Sequence, residues 1–400
     1  MKKIKINLTY SLLFIGALFL TSCVEEFEIS TDTYEQALVV EAVITDELKY
    51  QHIKLSNTYT FEEEDASPVE NATVKIIDDL DNEYPFEEIE PGNYVSSNVF
   101  MAELDRAYKL SIQTNSGKSY LSDATALPQN TSISNFYAEP ITNEEGEEGV
   151  AIKIDADQNN SNTRYYRYEY EETYKIIAPY WSPSDLVLVS RDPIVIEVVP
   201  REQDEEICYK TNVSRDIILE NTINYPNHEV ADYQLRFINK KDLMIAHRYS
   251  ILVRQYQQSL EAHTYYKTLK KFSDRANVFS QIQTGNINGN IYSVNDENEK
   301  VVGYFEIAGI DSKRIFFNWE DLYGFEPKPE LDCEITAPAI FIDFRTPLPD
   351  AIEAGTVRFF DYNTGLYPVE GFQGPYYVVP ADCGDCTTQG SNVVPDFWVE

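Results

Sequence analysis

The stretch 108-YKLSIQT-114 alternates apolar and polar side chains from Tyr108 to Gln113, and 72-ATVKIID-78 does so from Thr73 to Ile76. A period of two puts every second side chain on the same face. That is the pattern of a strand with one face buried and one wet, whereas a helix would repeat at about 3.6 residues. Working outward from these two segments, the same pattern predicts strands at 37–45, 52–57, 84–89, 93–96 and 119–126. Asp81-Asn82, Pro91-Gly92 and Asn115-Ser116-Gly117 separate them as turns. Seven short strands between residues 37 and 128 imply a small antiparallel sandwich of immunoglobulin or transthyretin-like type, with Leu127-Pro128 as its boundary.

Beyond that boundary the pattern resumes. "GVAIKIDA" (149–156) and "RYYRYEYEETYKI" (164–176) read as paired strands of a larger, fibronectin type III-like β domain spanning 129–400. Segments 185–190, 193–199, 214–220, 247–257, 301–309 and 313–319 extend it. One interval changes period. Ser259 is a good N-cap, and good helix formers follow it, so a single inserted helix is predicted over 260–273. The fold class is mainly β: two tandem β-sandwich domains with one helix. No internal repeat is visible.

The first 36 residues read differently. Lys2, Lys3 and Lys5 precede an apolar run from Leu12 to Leu20. That run is about half of the 20 residues that span a bilayer as a helix, so residues 1–22 read as a cleaved export signal. It ends in Leu20-Thr21-Ser22-Cys23, which resembles a bacterial lipobox, with Cys23 as the thiol that receives a thioether-linked lipid. Residues 23–36 follow as a tether. The carboxylates Glu25 and Glu26 directly after the cysteine resemble a surface-export signal.

Composition limits the partners. The chain has 32 Lys and Arg against 67 Asp and Glu, a formal charge of −35. Loss of residues 1–22 removes three lysines and no acid. Such a field repels nucleic acid, so no nucleic-acid partner is expected. Glu62-Glu63-Glu64-Asp65 and Glu144-Glu145-Gly146-Glu147-Glu148 read as exposed loop tips.

The lipobox with its acidic tail, "LVVEAVITDE" (38–47), "PVENATVKIIDD" (68–79), "SLEAHTYYKTLKK" (259–271), "GNINGNIYSVNDENEKVVGYFEIAG" (285–309) and "DCGDCTTQGSNVVPDFW" (382–398) together resemble a Bacteroidota lipoprotein family, domain of unknown function 4249. The resemblance implies an outer-membrane location and a TonB-dependent receptor as partner. It supplies no catalytic residues.

With Cys23 lipidated, Cys208, Cys333, Cys383 and Cys386 remain. An even remainder in an exported chain favours two disulfides, and four cysteines allow three pairings. Cys383-Gly384-Asp385-Cys386 could also be read as a redox CxxC, and the four thiols as a zinc site. The first usually sits at a helix start in a βαβ setting, and the second needs closer ligand spacing. His52, His228, His247 and His263 are scattered without ligand spacing, and no metal or cofactor is expected. "DADQNNSN" (155–162) has part of a calcium-loop pattern but lacks the distal bidentate Glu. Tyr166, Tyr168, Tyr170 and Tyr174 share one strand face and read as core. Tyr180 and Trp181, in a loop, are interface candidates. Phe397 and Trp398 are expected to pack into the second domain rather than fray. The expected function is non-enzymatic: a surface-exposed outer-membrane lipoprotein, anchored in outer-membrane lipid through Cys23, that serves as an accessory or substrate-capturing subunit of a TonB-dependent receptor system. The alternatives are an extracellular polymer hydrolase and a stand-alone adhesin.

Overall fold

The computed structural model describes residues 37–58, 66–157, 162–275, 287, 289–340, 347–369 and 373–400. Cys23, Glu25, Glu26 and the 62–65 acidic run lie outside them, as does part of 155–162.

The chain is mainly β. The first eight strands are β1 (Leu38–Thr45), β2 (His52–Asn57), β3 (Thr73–Asp78), β4 (Glu83–Glu90), β5 (Asn93–Ser96), β6 (Ala107–Gln113), β7 (Ser119–Ser122) and β8 (Thr125–Ala126). In β3, Val74 and Ile76 point inward and meet Ile112 and Leu110 of β6 in register, as the alternation requires. Asp78 closes the β3–β4 turn by accepting the Leu80 and Asn82 amides at 2.9 Å each. Burial opposes its ionisation, yet these bonds and those from the Asn82 and Tyr84 side chains hold its pKa down to about 2.

The second half supplies β9 (Ser132–Thr142), β10 (Glu148–Asp157), β11 (Tyr165–Ile177), β12 (Ser184–Arg191), β13 (Ile194–Pro200), β14 (Ile207–Val213), β15 (Ile218–Asn221), β16 (Val230–Asn239) and β17 (Tyr249–Gln258). Helix α1 (Leu260–Arg275) follows, then β18 (Ile291–Ser293), β19 (Val301–Phe317), β20 (Val357–Tyr362) and β21 (Tyr376–Pro380). The three-stranded sheet β16-β10-β9 faces β11, β17 and the end of β19 across a core of Val150, Ile152, Ile154, Tyr166, Tyr168, Ile251 and Val253. Tyr166 and Tyr168 are fully buried there, with Tyr170 and Tyr174 against the same core. A third, smaller core joins the β12–β13 hairpin, a short helix at Pro347–Glu353 and the β20–β21 hairpin around Leu186, Leu348, Phe359 and Val378.

Two expectations need correction. β10 and β11 are not paired with each other. β10 lies between β9 and β16, while β11 lies in the opposite sheet beside β17, β14 and β15. Both strands are apolar on their inner faces, and alternation alone does not say which neighbour supplies the hydrogen bonds. The division at residue 128 also fails as a split into contiguous segments. β18 pairs with β7, and β19 runs parallel to β1 from Val301 to Ala308 before pairing with β17 from Gly309 to Phe317. Segments 301–309 and 313–319, read as separate strands, are therefore one 17-residue strand that joins β17, β11 and β14 to β1 and the other first-half strands in a single 14-stranded sheet. At the crossing, Asp46 accepts the Ile310 amide at 2.9 Å and Asp311 accepts the Ile133 amide at 2.7 Å. The polar "GIDS" interval thus carries β19 from its β1 partner to its β17 partner without ending the strand.

Helix α1 begins where Ser259 predicts it: the Ser259 hydroxyl accepts the Ala262 amide at 3.1 Å. Its packed face is Ala262, His263 and Tyr265 with Tyr266 and Leu269, while Leu260 is exposed. Lys267, Lys270 and Lys271 occupy its second half, where cations complement the helix dipole.

Candidate functional site

The site is assembled at the junction of the two sandwiches. Arg167 of β11 stands opposite Tyr256 of β17, and the Cβ alternation of both strands puts the pair on the outer face of their sheet. Helix α1 lies across that face and brings Tyr266 to the other side of the guanidinium. The Arg167 carbon centre is 4.1 Å from the Tyr256 ring and 4.8 Å from the Tyr266 ring. Glu306, wholly buried and opposite Val43 in the first sandwich, accepts from Gln258 Nε2 at 2.8 Å and Arg167 Nη2 at 3.5 Å. Arg167 also bonds Glu169, whose second oxygen accepts the Tyr256 hydroxyl at 3.0 Å. Burial opposes the Arg167 charge, but Glu306, Tyr266 and Glu169 outweigh it and hold its pKa above the ordinary value. Burial, reinforced by the Glu306 carboxylate, pushes the Tyr266 phenol well above its usual range. One ion pair therefore ties the shared strand to the second sandwich.

Above this cluster opens a cleft of about 730 Å³. Its walls are residues 39–43 of β1, Val302–Tyr304 of β19, the outer face of β11 and β17, α1, and the β14–β15 connection at 214–217. Clefts of this size between structural units are where proteins most often bind small or extended ligands. A second cavity of about 750 Å³ continues past Arg215 and Leu269 toward Lys270. Arg215 and Arg254 line the first cavity, and neither has an ion-pair partner among the described residues. The cleft can offer fixed cations, tyrosine rings and three carboxylates, Glu41, Glu169 and Asp216.

The residues singled out in the sequence lie elsewhere. Cys208 pairs with Cys386 and Cys333 with Cys383, with Cα separations of 5.5 and 5.9 Å. Two disulfides therefore form, and they split the CxxC between separate partners. That rules out both the redox dithiol and the four-thiolate zinc readings for this state. Tyr180 is half-buried, edge-on to Phe360 at 5.2 Å, and Trp181 packs against the Cys208–Cys386 cluster. Much of both rings is thus engaged within the chain, because the loop is fastened by the disulfide region. The Phe397 ring lies 3.5 Å below the Arg314 guanidinium, and Trp398 meets Tyr209 and Phe316 at 4.9 and 5.7 Å. The tail packs on the second sandwich as expected, but on its outer face rather than in its core.

Of the histidines, His263 is buried against Tyr165, and burial, aided by Lys267, lowers its pKa to about 4. His52 lies on β2, His228 bonds the Thr222 carbonyl at 2.9 Å, and His247 precedes β17. Among the described residues, no three His, Cys, Asp or Glu side chains converge to hold a metal. Arg167, Arg254 and Tyr256 went unremarked in the sequence. The available signal was a pair of arginines at strand positions where an outward polar face needs no charge of that sign.

Fold and cleft together define a mainly β protein whose two halves are joined by one shared strand, with a cavity at the joint. The chain belongs to the family described as Domain of unknown function (DUF4249), which it matches over residues 24–314. That span holds both sandwiches and nearly all of β19, and it stops short of the β20–β21 lobe. No curated protein matches the chain. Among solved structures it is similar to a DUF4785 family protein from Legionella pneumophila, at 10% identity and a TM-score of 0.18. That match covers 55% of this chain, which spans about half of the other, 52%. A likeness that weak carries no argument about fold or function.

Proposed function

We propose that this protein is a surface-exposed, lipid-anchored outer-membrane protein that captures a ligand for a TonB-dependent receptor and performs no chemistry on it. The observation that carries the reading is the cleft where the two halves of the fold meet, floored by the Arg167–Glu306 pair and flanked by Arg215 and Arg254, which have no ion-pair partner among the described residues. A preformed cavity held by two packed units suits capture, because little ordering cost remains when the ligand enters. The anchor rests on Leu20-Thr21-Ser22-Cys23, and Glu25 and Glu26 support the outward-facing leaflet. Two or three acyl chains on Cys23 hold the protein stably, at about 0.8 kcal/mol per buried CH₂. Confinement beside a receptor then raises its effective concentration, so even a weak contact is well occupied.

Cys23→Ala tests the anchor: wild type should sediment with outer membranes and the variant should not. Retention of the variant after a high-salt wash would overturn it. Capture for a receptor is tested by isolating the wild-type protein from detergent-solubilised outer membranes. A TonB-dependent receptor in stoichiometric amount is expected, and its consistent absence would remove the partner from the proposal.

A further inference from the structure

The cleft also constrains what fills it. The cations Arg167, Arg236 and Arg314 around this sheet are each held by a carboxylate: Glu306, Glu172 and Glu171 respectively. Arg215, Arg254 and Lys270 have no such partner among the described residues, although the chain carries 67 acids to 32 bases. Arg254 and Lys270 are half-buried, so part of their hydration is already lost. All three line the two cavities that meet at Arg215. At physiological ionic strength the Debye length is about 8 Å. The distant negative surface is then largely screened, so the groove's own lining sets the potential, with Arg167, Arg215, Arg236, Arg254 and Lys270 against Glu41, Glu169 and Asp216.

We propose that this groove binds an acidic polysaccharide, with Arg215, Arg254 and Lys270 taking its carboxylate or sulfate groups; this rests on the capture reading above. A saccharide fits better than an acidic peptide for a reason of backbone chemistry. The floor is made of sheet faces, not of a free strand edge. β1 is already flanked by β2 and β19, and β17 by β11 and β19. An extended peptide would therefore find no main-chain partners on the floor. A polyhydroxylated chain needs none, and Glu41 and Asp216 can accept from its hydroxyls. Each cation bonds an anionic group through charge-assisted hydrogen bonds, the stronger class.

The test is calorimetric titration of the full-length mature protein in detergent. The probes are oligogalacturonate, a sulfated heparin oligomer, the methyl ester of the first, and poly-glutamate. At least one acidic saccharide should bind about tenfold or more tightly than the neutral ester, as loss of a charge-assisted bond implies. Its affinity should fall with added salt. Arg254→Gln and Lys270→Gln should each weaken it by about tenfold while leaving the melting temperature near wild type. Binding of neither acidic saccharide, equal binding of the ester, tighter binding of poly-glutamate, or affinity unchanged in both variants would each overturn the proposal. Equal binding of the ester removes the ligand class and leaves capture standing. A failed receptor isolation, by contrast, removes the partner and leaves the binding data intact.

Discussion

Glu306 has no exposed surface, and a buried carboxylate survives there only because Gln258, Arg167 and Tyr266 address it together. Taking away one member of a buried ion pair costs about 3–5 kcal/mol, mostly because the partner charge is left unanswered. Glu306→Gln should lower the unfolding free energy by that order in a denaturant titration. The double variant Arg167→Met, Glu306→Leu should recover most of it. If the double variant is as weak as the single, the pair is not the cause. His263 gives a pH signature. Its folded pKa of about 4 lies below the ordinary 6.5, so the unfolded chain binds the extra proton between those values. The stability due to neutral His263 is present above pH 6.5 and is lost as pH falls toward 4, by up to about 3 kcal/mol. His263→Phe keeps a ring against Tyr165 and should flatten the melting-temperature profile over that window relative to wild type. Parallel profiles would contradict it. At this scale the sequence told inward from outward on the strands: the tyrosine face of β11 was legible from its period of two. Arg167 was not, because nothing local announces that a polar strand face will be roofed by a helix.

Among the elements, the C-terminal tail is the most directly testable. Trp398 and Phe397 cover the outer face through Tyr209, Phe316 and Arg314, and the Glu400 carboxylate lies 3.0 Å from Lys175. Both rings are half-buried, so each contributes less than the roughly 1.5–3 kcal/mol of a fully buried side chain. Deleting residues 395–400 should lower the melting temperature by a few degrees, and an unchanged melt would mark the tail as dispensable to stability. Most strands were legible, β2 and β5 to the residue. The sequence pattern does not reveal β9, β14, β16, β18, β20 or β21. In "NFYAEPIT" of β9 and "YQLRFIN" of β16, polar and apolar residues fall on both faces, so the period of two is blurred. In β19 the opposite error arose. Gly309 and Asp311 look like a break, and only the neighbouring sheet supplies Asp46 to receive the Ile310 amide.

At the scale of the molecule, the disulfides decide how the C-terminal lobe is held. Cys208–Cys386 closes a span of 178 residues and Cys333–Cys383 one of 50. Chain entropy alone assigns these about 5 and 4 kcal/mol, with the longer loop contributing more. Peptide mapping without reductant should recover those two pairs, and Cys208→Ser, Cys386→Ser should lower the melting temperature more than the other double variant. A Cys383–Cys386 peptide would contradict the assignment. The number of cysteines made disulfides legible, but pairing depends on which loops approach in space, as does the shared strand that defeated the division at residue 128. That strand has one more consequence, which is mechanical. β1 receives whatever force arrives through the segment before Leu38, and it runs parallel to β19 in unbroken register from Leu38–Val301 to Thr45–Ala308. A pull on the second sandwich is transmitted along β19 in the opposite sense, so the two strands are loaded lengthwise against each other. Their hydrogen bonds, lying across the strands, must then yield together rather than unzip one at a time. The joint between the sandwiches is a shear clamp, built to hold a load between the amino-terminal end of the chain and the cleft.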